Sequence, residues 1–319
     1  MTRMHTNLSQ LQPCCADHMH VPPVHPLAAP TPEEAAREAR RTEQGALSAM
    51  IDAHVHLFPQ PLFAALHRWF DAHAWNIAFR GSSEETIAHL HQNGVARMVA
   101  LVFAHKEGAS RTLNRYLGQL AAAEPSIIGV GTVLPGEPDA RGIVKEAIAV
   151  HGLRGIKLHC HVQRVAIDDP RTVEVLAACQ ELGVPAVVHA GREPSSAAYG
   201  VDCHAICNVK RTRRVLQQLP NLRLVVPHIG ADEYGDYLRL CDEFPHLYLD
   251  TAMACADYFP DALDWTQLEQ HADRVLYGTD FPIVPYEMGR ERTVLARRIV
   301  DDVKFAQIAG GNAARLWSV

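Results

Sequence analysis

From Met50 onward the chain alternates short apolar runs with longer segments in which apolar residues recur at helical spacing. The apolar runs are Met50–Leu57, Val95–Ala104, Ile127–Val133, Leu153–His159, Val184–Ala190, Leu222–His228, Leu247–Thr251 and Val275–Asp280. Between them, Ser83–Gln92, Arg111–Ala123, Ala140–His151, Pro170–Leu182, Val209–Leu219, Asp232–Phe244 and Ala262–His271 read as amphipathic helices. Gly94, Gly152 and Gly183 stand where helices stop and strands begin. Strands apolar on both faces and separated by helices belong to a parallel sheet covered by helices. Eight such units over this length predict an α/β fold, a (β/α)8 TIM barrel. An open doubly wound sheet is the alternative, but the first strand is not followed by a glycine-rich phosphate loop.

The pattern divides the chain into an extension, residues 1–49, and a barrel domain, residues 50–319. The first thirty residues are rich in Pro, His and polar residues without periodicity and read as a flexible arm. Cys14, Cys15, His18, His20 and His25 cluster there; an unstructured extension is preferred over a metal-binding tail. Thr31-Pro32-Glu33-Glu34 has the form of a helix start, with a capping Thr, Pro in the first turn and acids near the positive end. The charged stretch after it, Ala35 to Gln44, reads as a short surface helix. Met50 directly precedes the first strand and is a candidate translation start.

Composition narrows the class. The 319 residues are 48% hydrophobic, with 30 basic and 36 acidic side chains and a net charge of −6. Mild acidity argues against nucleic-acid binding, and no basic run suggests an anionic membrane surface. No apolar stretch is long enough to span a bilayer, and the N-terminus lacks the hydrophobic segment of a secretory signal. Eight irregularly spaced cysteines read as reduced thiols of a cytoplasmic protein. Cys203 and Cys207 have no second cysteine pair beside them to complete a zinc knuckle. A homodimer is the expected assembly, as for most soluble enzymes.

In a barrel of this kind chemistry gathers at the C-terminal ends of the strands. Those ends are rich in imidazole. The first strand carries His54 and His56, two apart and so on one face. The fourth offers Lys157 and His159, the fifth His189, the sixth His228 and the eighth Asp280. Polar groups straight after apolar runs would be costly in a core; around one mouth they form a His-rich site with a carboxylate. Arg192, just past His189, is a candidate anchor for a substrate carboxylate. His161, Tyr199, His204 and Glu233 lie on loops after these strands and read as surface residues, as does His105 after the second strand.

Asp52-Ala53-His54-Val55-His56, the His189-Ala190-Gly191 and Pro227-His228-Ile229-Gly230 turns, Tyr277-Gly278-Thr279-Asp280-Phe281-Pro282 and the closing Ile308 to Trp317 segment together resemble the amidohydrolase superfamily. The resemblance is to its amidohydrolase-related branch, which includes aminocarboxymuconate-semialdehyde decarboxylase-like proteins, and runs from about Met50 to the C-terminus. It implies that His54, His56, His189 and Asp280 bind one divalent metal ion, most often Zn²⁺, with His228 beside it as acid, base or electrophile. Imidazoles plus a carboxylate suit such an ion. In binuclear relatives a strand-four lysine bridges two metals, and Lys157 with His228 could take those parts. One metal is the preferred reading, with Lys157, His159 and Arg192 facing the substrate.

Two activities fit the resemblance. The first is hydrolysis of a small carbonyl compound (an amide, lactone or ester, carboxylated in the favoured case) by metal-activated water, with Asp280 moving the proton and His228 steadying the oxyanion. The alternative is metal-dependent non-oxidative decarboxylation of a small unsaturated or aromatic carboxylic acid. Lys157 with His159 tilts the sequence reading toward hydrolysis. A barrel without chemistry would lack part of the strand-end set, and none of it is missing.

Overall fold

The computed structural model describes residues 23–194, 196–258 and 263–319. Eight parallel strands run in the order β1 to β8: Met50–His56, Val95–Leu101, Ile127–Thr132, Ile156–His159, Ala186–His189, Leu224–Val226, Leu247–Asp250 and Val275–Leu276. The fold is the expected (β/α)8 barrel. Backbone bonds bring the ends of the sheet together: the Ala53 amide donates to the Tyr277 carbonyl at 2.7 Å and the His56 amide to the Phe281 carbonyl at 2.8 Å.

Each strand is flanked by helices that follow their sequence signals. Ser82 caps the helix Ser83–Gln92 in a reciprocal box with Glu85, and Asp169 caps Pro170–Leu182, where Pro170 opens the first turn. A helix over Gln60–His73 joins the set; its pattern was not singled out in the sequence. Side chains from six strands, including Ile51, Val99, Val130, Val187, Val225 and Leu276, pack with Ala313, Leu316 and Trp317 of the last helix. Burial of each such large apolar side chain contributes roughly 1.5–3 kcal/mol, and this cluster holds the strand array whose opposite ends carry the polar groups.

The helix expected after Thr31 is present. Pro32–Glu43 is a helix with a Thr31–Glu34 capping box, and it is docked on the barrel. Arg41 is 1% exposed. Its guanidinium donates to the Ala296 and Ile299 carbonyls at 2.8 and 2.9 Å and to Asp302 at 2.7 Å, and stacks over Phe305. Glu38 pairs with Arg297 and Glu34 with Arg298 around it. A chain begun at Met50 would leave these groups without partners. Of the cysteine–histidine cluster expected at the N-terminus, Cys14, Cys15, His18 and His20 lie outside the described residues; His25 is exposed.

Candidate metal centre

The first two imidazoles are aimed by what their inner nitrogens bind. His54 Nδ1 lies 2.8 Å from Asp250 Oδ2, and His56 Nδ1 lies 3.2 Å from the Leu101 carbonyl. Both partners accept, so each ring donates from Nδ1 and turns an Nε2 lone pair outward. Those two nitrogens face one atom: Asp280 Oδ1 is 3.3 Å from His54 Nε2 and 3.0 Å from His56 Nε2. Burial, reinforced by the Lys157 charge, drives the His54 pKa well below the ordinary imidazole value. Burial alone would raise Asp280, but His54 and His56 beside it hold the carboxyl below its usual range. The result is acceptor facing acceptor, an arrangement that a shared cation reconciles.

Spacing agrees. Donors each about 2.1 Å from an ion at tetrahedral angles lie about 3.4 Å apart, and the three ligand atoms here all fall within 4.8 Å of one another. His54, His56 and Asp280 therefore fit a divalent first-row ion.

Asp280 is placed by Asp52, a residue the sequence reading quoted but gave no role. The buried Asp52 carboxylate accepts from the Thr279 hydroxyl at 2.6 Å, from the Thr279 amide at 3.2 Å and from the His54 amide at 3.0 Å. It thus ties the end of β1 to the segment that carries Asp280. Asp280 itself holds φ 62°, and His228 and Ile229 hold φ 58° and 53°. These are left-handed values that a β-branched residue such as Ile229 adopts only under constraint. The constraint at His228 is visible: its amide donates to Asp250 Oδ1 at 3.0 Å and its Nδ1 to the Ala252 carbonyl at 2.9 Å. Gly230 completes the turn, where a Cβ would sit 1.9 Å from the Tyr237 ring.

Asp250, at the end of β7, was not singled out in the sequence. It is fully buried, accepts from His54 and from the backbone amides of His228 and Ala252, and so positions two imidazoles at once.

The remaining expected residues divide. The His189 ring lies 4.9 Å from that of His228, but its Nε2 stands 2.9 Å from Glu193 Oε2, in a second group with His161. His189 borders the same cavity as His56, His228 and Asp280. His159 stacks on His189 at 3.8 Å and faces the cavity. Lys157 does not: it is fully buried, does not line the cavity, and its Nζ has no hydrogen-bond partner among the described residues. Burial lowers its pKa to about 8. The expectation that Lys157 faces substrate is corrected, because its side chain is wholly buried and contributes nothing to the cavity lining; the Asp250, Asp280 and Glu193 charges partly offset the effect of burial on it. Arg192 lines the cavity and reaches Asp232 at 3.3 Å.

The cavity over these groups measures about 420 Å³. Its lining combines imidazoles with Phe70, Trp75, Tyr199, Met253, Leu263 and Ile283. His161, Tyr199 and His204, read from sequence as surface residues, also line it. Glu233 instead accepts the Val209 amide at 3.0 Å, outside the cavity. Glu193, 7% exposed, is a cavity residue absent from the sequence reading.

A family model described as amidohydrolase matches residues 51–319. The chain belongs to the amidohydrolase family. Solved structures share the fold of this amidohydrolase at low identity. 5-carboxyvanillate decarboxylase from Sphingomonas paucimobilis is 18% identical over 85% of this chain and 99% of its own, with a TM-score of 0.64. 2,6-dihydroxybenzoate decarboxylase from Rhizobium is 14% identical over 85% and 99%, with a TM-score of 0.62. A dihydroxybenzoic acid decarboxylase from Polaromonas sp., with bound manganese and the inhibitor 2-nitroresorcinol, is 15% identical over 85% and 97%, with a TM-score of 0.59. Comparison with curated proteins gave no match. Among the described residues no helix is long and apolar enough to cross a membrane.

Proposed function

We propose that this amidohydrolase is a metal-dependent, non-oxidative decarboxylase of a small aromatic or unsaturated carboxylic acid. The observation that carries the reading is the meeting of His54 Nε2, His56 Nε2 and Asp280 Oδ1 beside a cavity of about 420 Å³ that His56 and Asp280 line together with Phe70, Trp75 and Tyr199. A cavity of that size takes one ring-sized molecule. Support also comes from the three structural relatives named above, all decarboxylases of aromatic acids, one with manganese. The tilt toward hydrolysis rested on Lys157 with His159, and of the two only His159 lines the cavity.

A divalent ion held by His54, His56 and Asp280 would supply a Lewis acid that grips a substrate oxygen and steadies nearby negative charge. Zn²⁺ was the ion expected from sequence, and a relative holds manganese. Around it the chain's own groups have separable tasks. Phe70, Trp75 and Ile283 would sandwich the ring and exclude water. Arg192, at the cavity rim, would orient a carboxylate. His228 lines the cavity and donates from Nδ1 to the Ala252 carbonyl; as the imidazolium, carrying a second proton on Nε2, it would deliver that proton to the ring carbon as the bond to the carboxylate breaks and CO₂ departs, leaving a neutral imidazole. Six described cysteines are free and buried, which fits a cytoplasmic location.

The test is CO₂ release by metal-loaded enzyme on a panel of hydroxylated benzoic and unsaturated acids, run beside acid release on lactones, esters and amides. The expected result is CO₂ release that disappears in Asp280→Asn. Hydrolysis of a lactone, ester or amide without any CO₂ release would replace this reading with the hydrolase one.

A further inference from the structure

Glu193 is a carboxylate in the cavity wall with no donor aimed at it. It lies in the loop after β5, 7% exposed, and among the described residues neither side-chain oxygen has a hydrogen-bond partner. The cations nearby are placed otherwise. Arg192 turns to Asp232 at 3.3 Å, and Lys157, which feels the Glu193 charge, brings its Nζ into no hydrogen bond among the described residues. His189 Nε2 is 2.9 Å from Oε2 but off the line of a hydrogen bond, and His189 is among the ligands that the family resemblance gives to the ion. An ionised carboxylate only accepts, and leaving it buried and unmet is costly.

His161 is the second such group. It sits on the short helix Cys160–Gln163 after β4, is 1% exposed and borders the same cavity, and its Nε2 also lacks a hydrogen-bond partner among the described residues. Glu193 Oε2 and His161 Nε2 are 3.7 Å apart, too far to bond each other and close enough for one small group to meet both. The backbone fixes that gap. The Gly191 backbone hydrogen-bonds the His161 ring, and a parallel bridge from Arg192 to Ala231 pins the chain just before Glu193. Gly191 lets the carboxylate fold back: a Cβ there would lie 2.8 Å from Glu193 Oε1 and 2.7 Å from the Gly230 backbone. The His204 ring nitrogen Nε2, 3.1 Å from the Glu193 carbonyl, holds the loop from the far side.

Donor count decides what fits between them. A hydroxyl carries one O–H and a methyl none, whereas a primary amino group carries two N–H donors, three when protonated. Protonated, it would also bring the positive charge that Glu193 lacks. We propose that Glu193 and His161 form a subsite for an amino group of the substrate, so that the acid taken into this cavity is an amino-substituted one. A site built to bond an N–H discriminates strongly against analogues without it, because its own polar groups are then left unpaired. This rests on the reading of the cavity as the decarboxylase's substrate site, but recognition of the amine is measurable without turnover.

The test titrates matched benzoates, bearing amino, hydroxyl or methyl at the same ring position, into the full-length Mn²⁺-loaded protein by calorimetry. Wild type, Glu193→Gln and His161→Phe are compared, with folding checked by circular dichroism and metal content by elemental analysis. At one ring position the aminobenzoate is expected to bind at least about tenfold more tightly than its hydroxy and methyl counterparts. Glu193→Gln should erase most of that preference and His161→Phe part of it, with metal content unchanged. An amino preference absent at every position overturns the subsite, and so does one that survives both substitutions, which would put the amine on the ion. Metal lost from Glu193→Gln would make Glu193 a ligand and overturn it as well. If Glu193→Gln fails to fold, the preference must still shrink in His161→Phe. No CO₂ from any acid, with the amino preference intact, would instead sink the decarboxylase reading and leave the subsite standing.

Discussion

Asp250 Oδ2 lies 2.8 Å from His54 Nδ1, so a carboxylate that ends β7 sets the tautomer of an imidazole that ends β1. Asp250→Asn tests how much that matters. An amide NH₂ at this spot would donate to Nδ1 and move the ring proton to Nε2, where it would face Asp280. The variant is expected to bind Mn²⁺ or Zn²⁺ about 10–100-fold more weakly, measured by competition with a chromophoric chelator. Equal affinity would show that His54 does not need its partner.

His228 is held at a left-handed φ of 58° by bonds to Asp250 and Ala252. Constraint of that kind is spent on aim. His228→Asn is expected to slow CO₂ release by about 10²–10⁴-fold with metal content unchanged by elemental analysis. Loss of the metal along with the activity would instead make His228 a ligand.

Much of this was legible in the chain. The eight strands could be read because each is a short apolar run bracketed by helical periodicity. His54, His56, His228 and Asp280 could be read because each interrupts or ends such a run. Asp250 was missed: a single acid after Leu247-Tyr248-Leu249 looks like any strand end, and its value lies in reaching His54 across the barrel. Glu193 was missed because its return to the cavity depends on Gly191 having no side chain, a tertiary fact. Lys157 was over-read, since alternation on a four-residue strand does not say how deep a side chain sits. The docked helix at Pro32–Glu43 was read as surface because Arg41 looks like a solvated charge until the Ala296 and Ile299 carbonyls appear beside it.

Glu291 gives a pH signature remote from the metal ligands. It is fully buried; burial raises its pKa from 4.5 to about 7, although Tyr286 donates to Oε1 at 2.6 Å. A carboxyl that holds its proton more tightly when folded stabilises the native state below about pH 4.5, and that contribution is lost as pH rises through 7. The difference is worth about 3 kcal/mol. Glu291→Gln keeps an acceptor for Tyr286 and removes the titration. Between pH 5 and pH 8 the wild-type Tm should therefore fall relative to that of the variant; parallel curves would refute the assignment.

Arg41 ties the N-terminal helix to the barrel through two backbone carbonyls and Asp302 while almost wholly buried. Carbonyls that lose such a donor inside the protein are left unsatisfied, which is where the cost arises. Arg41→Ala is expected to lower unfolding free energy by about 3 kcal/mol, read by urea denaturation. Arg41→Lys should recover only part, because an ammonium cannot span Asp302 and both carbonyls as the planar guanidinium does. Deleting residues 1–49 should cost at least as much as Arg41→Ala. A deletion variant as stable as the full chain would show that the barrel does not depend on this helix, whatever its contacts.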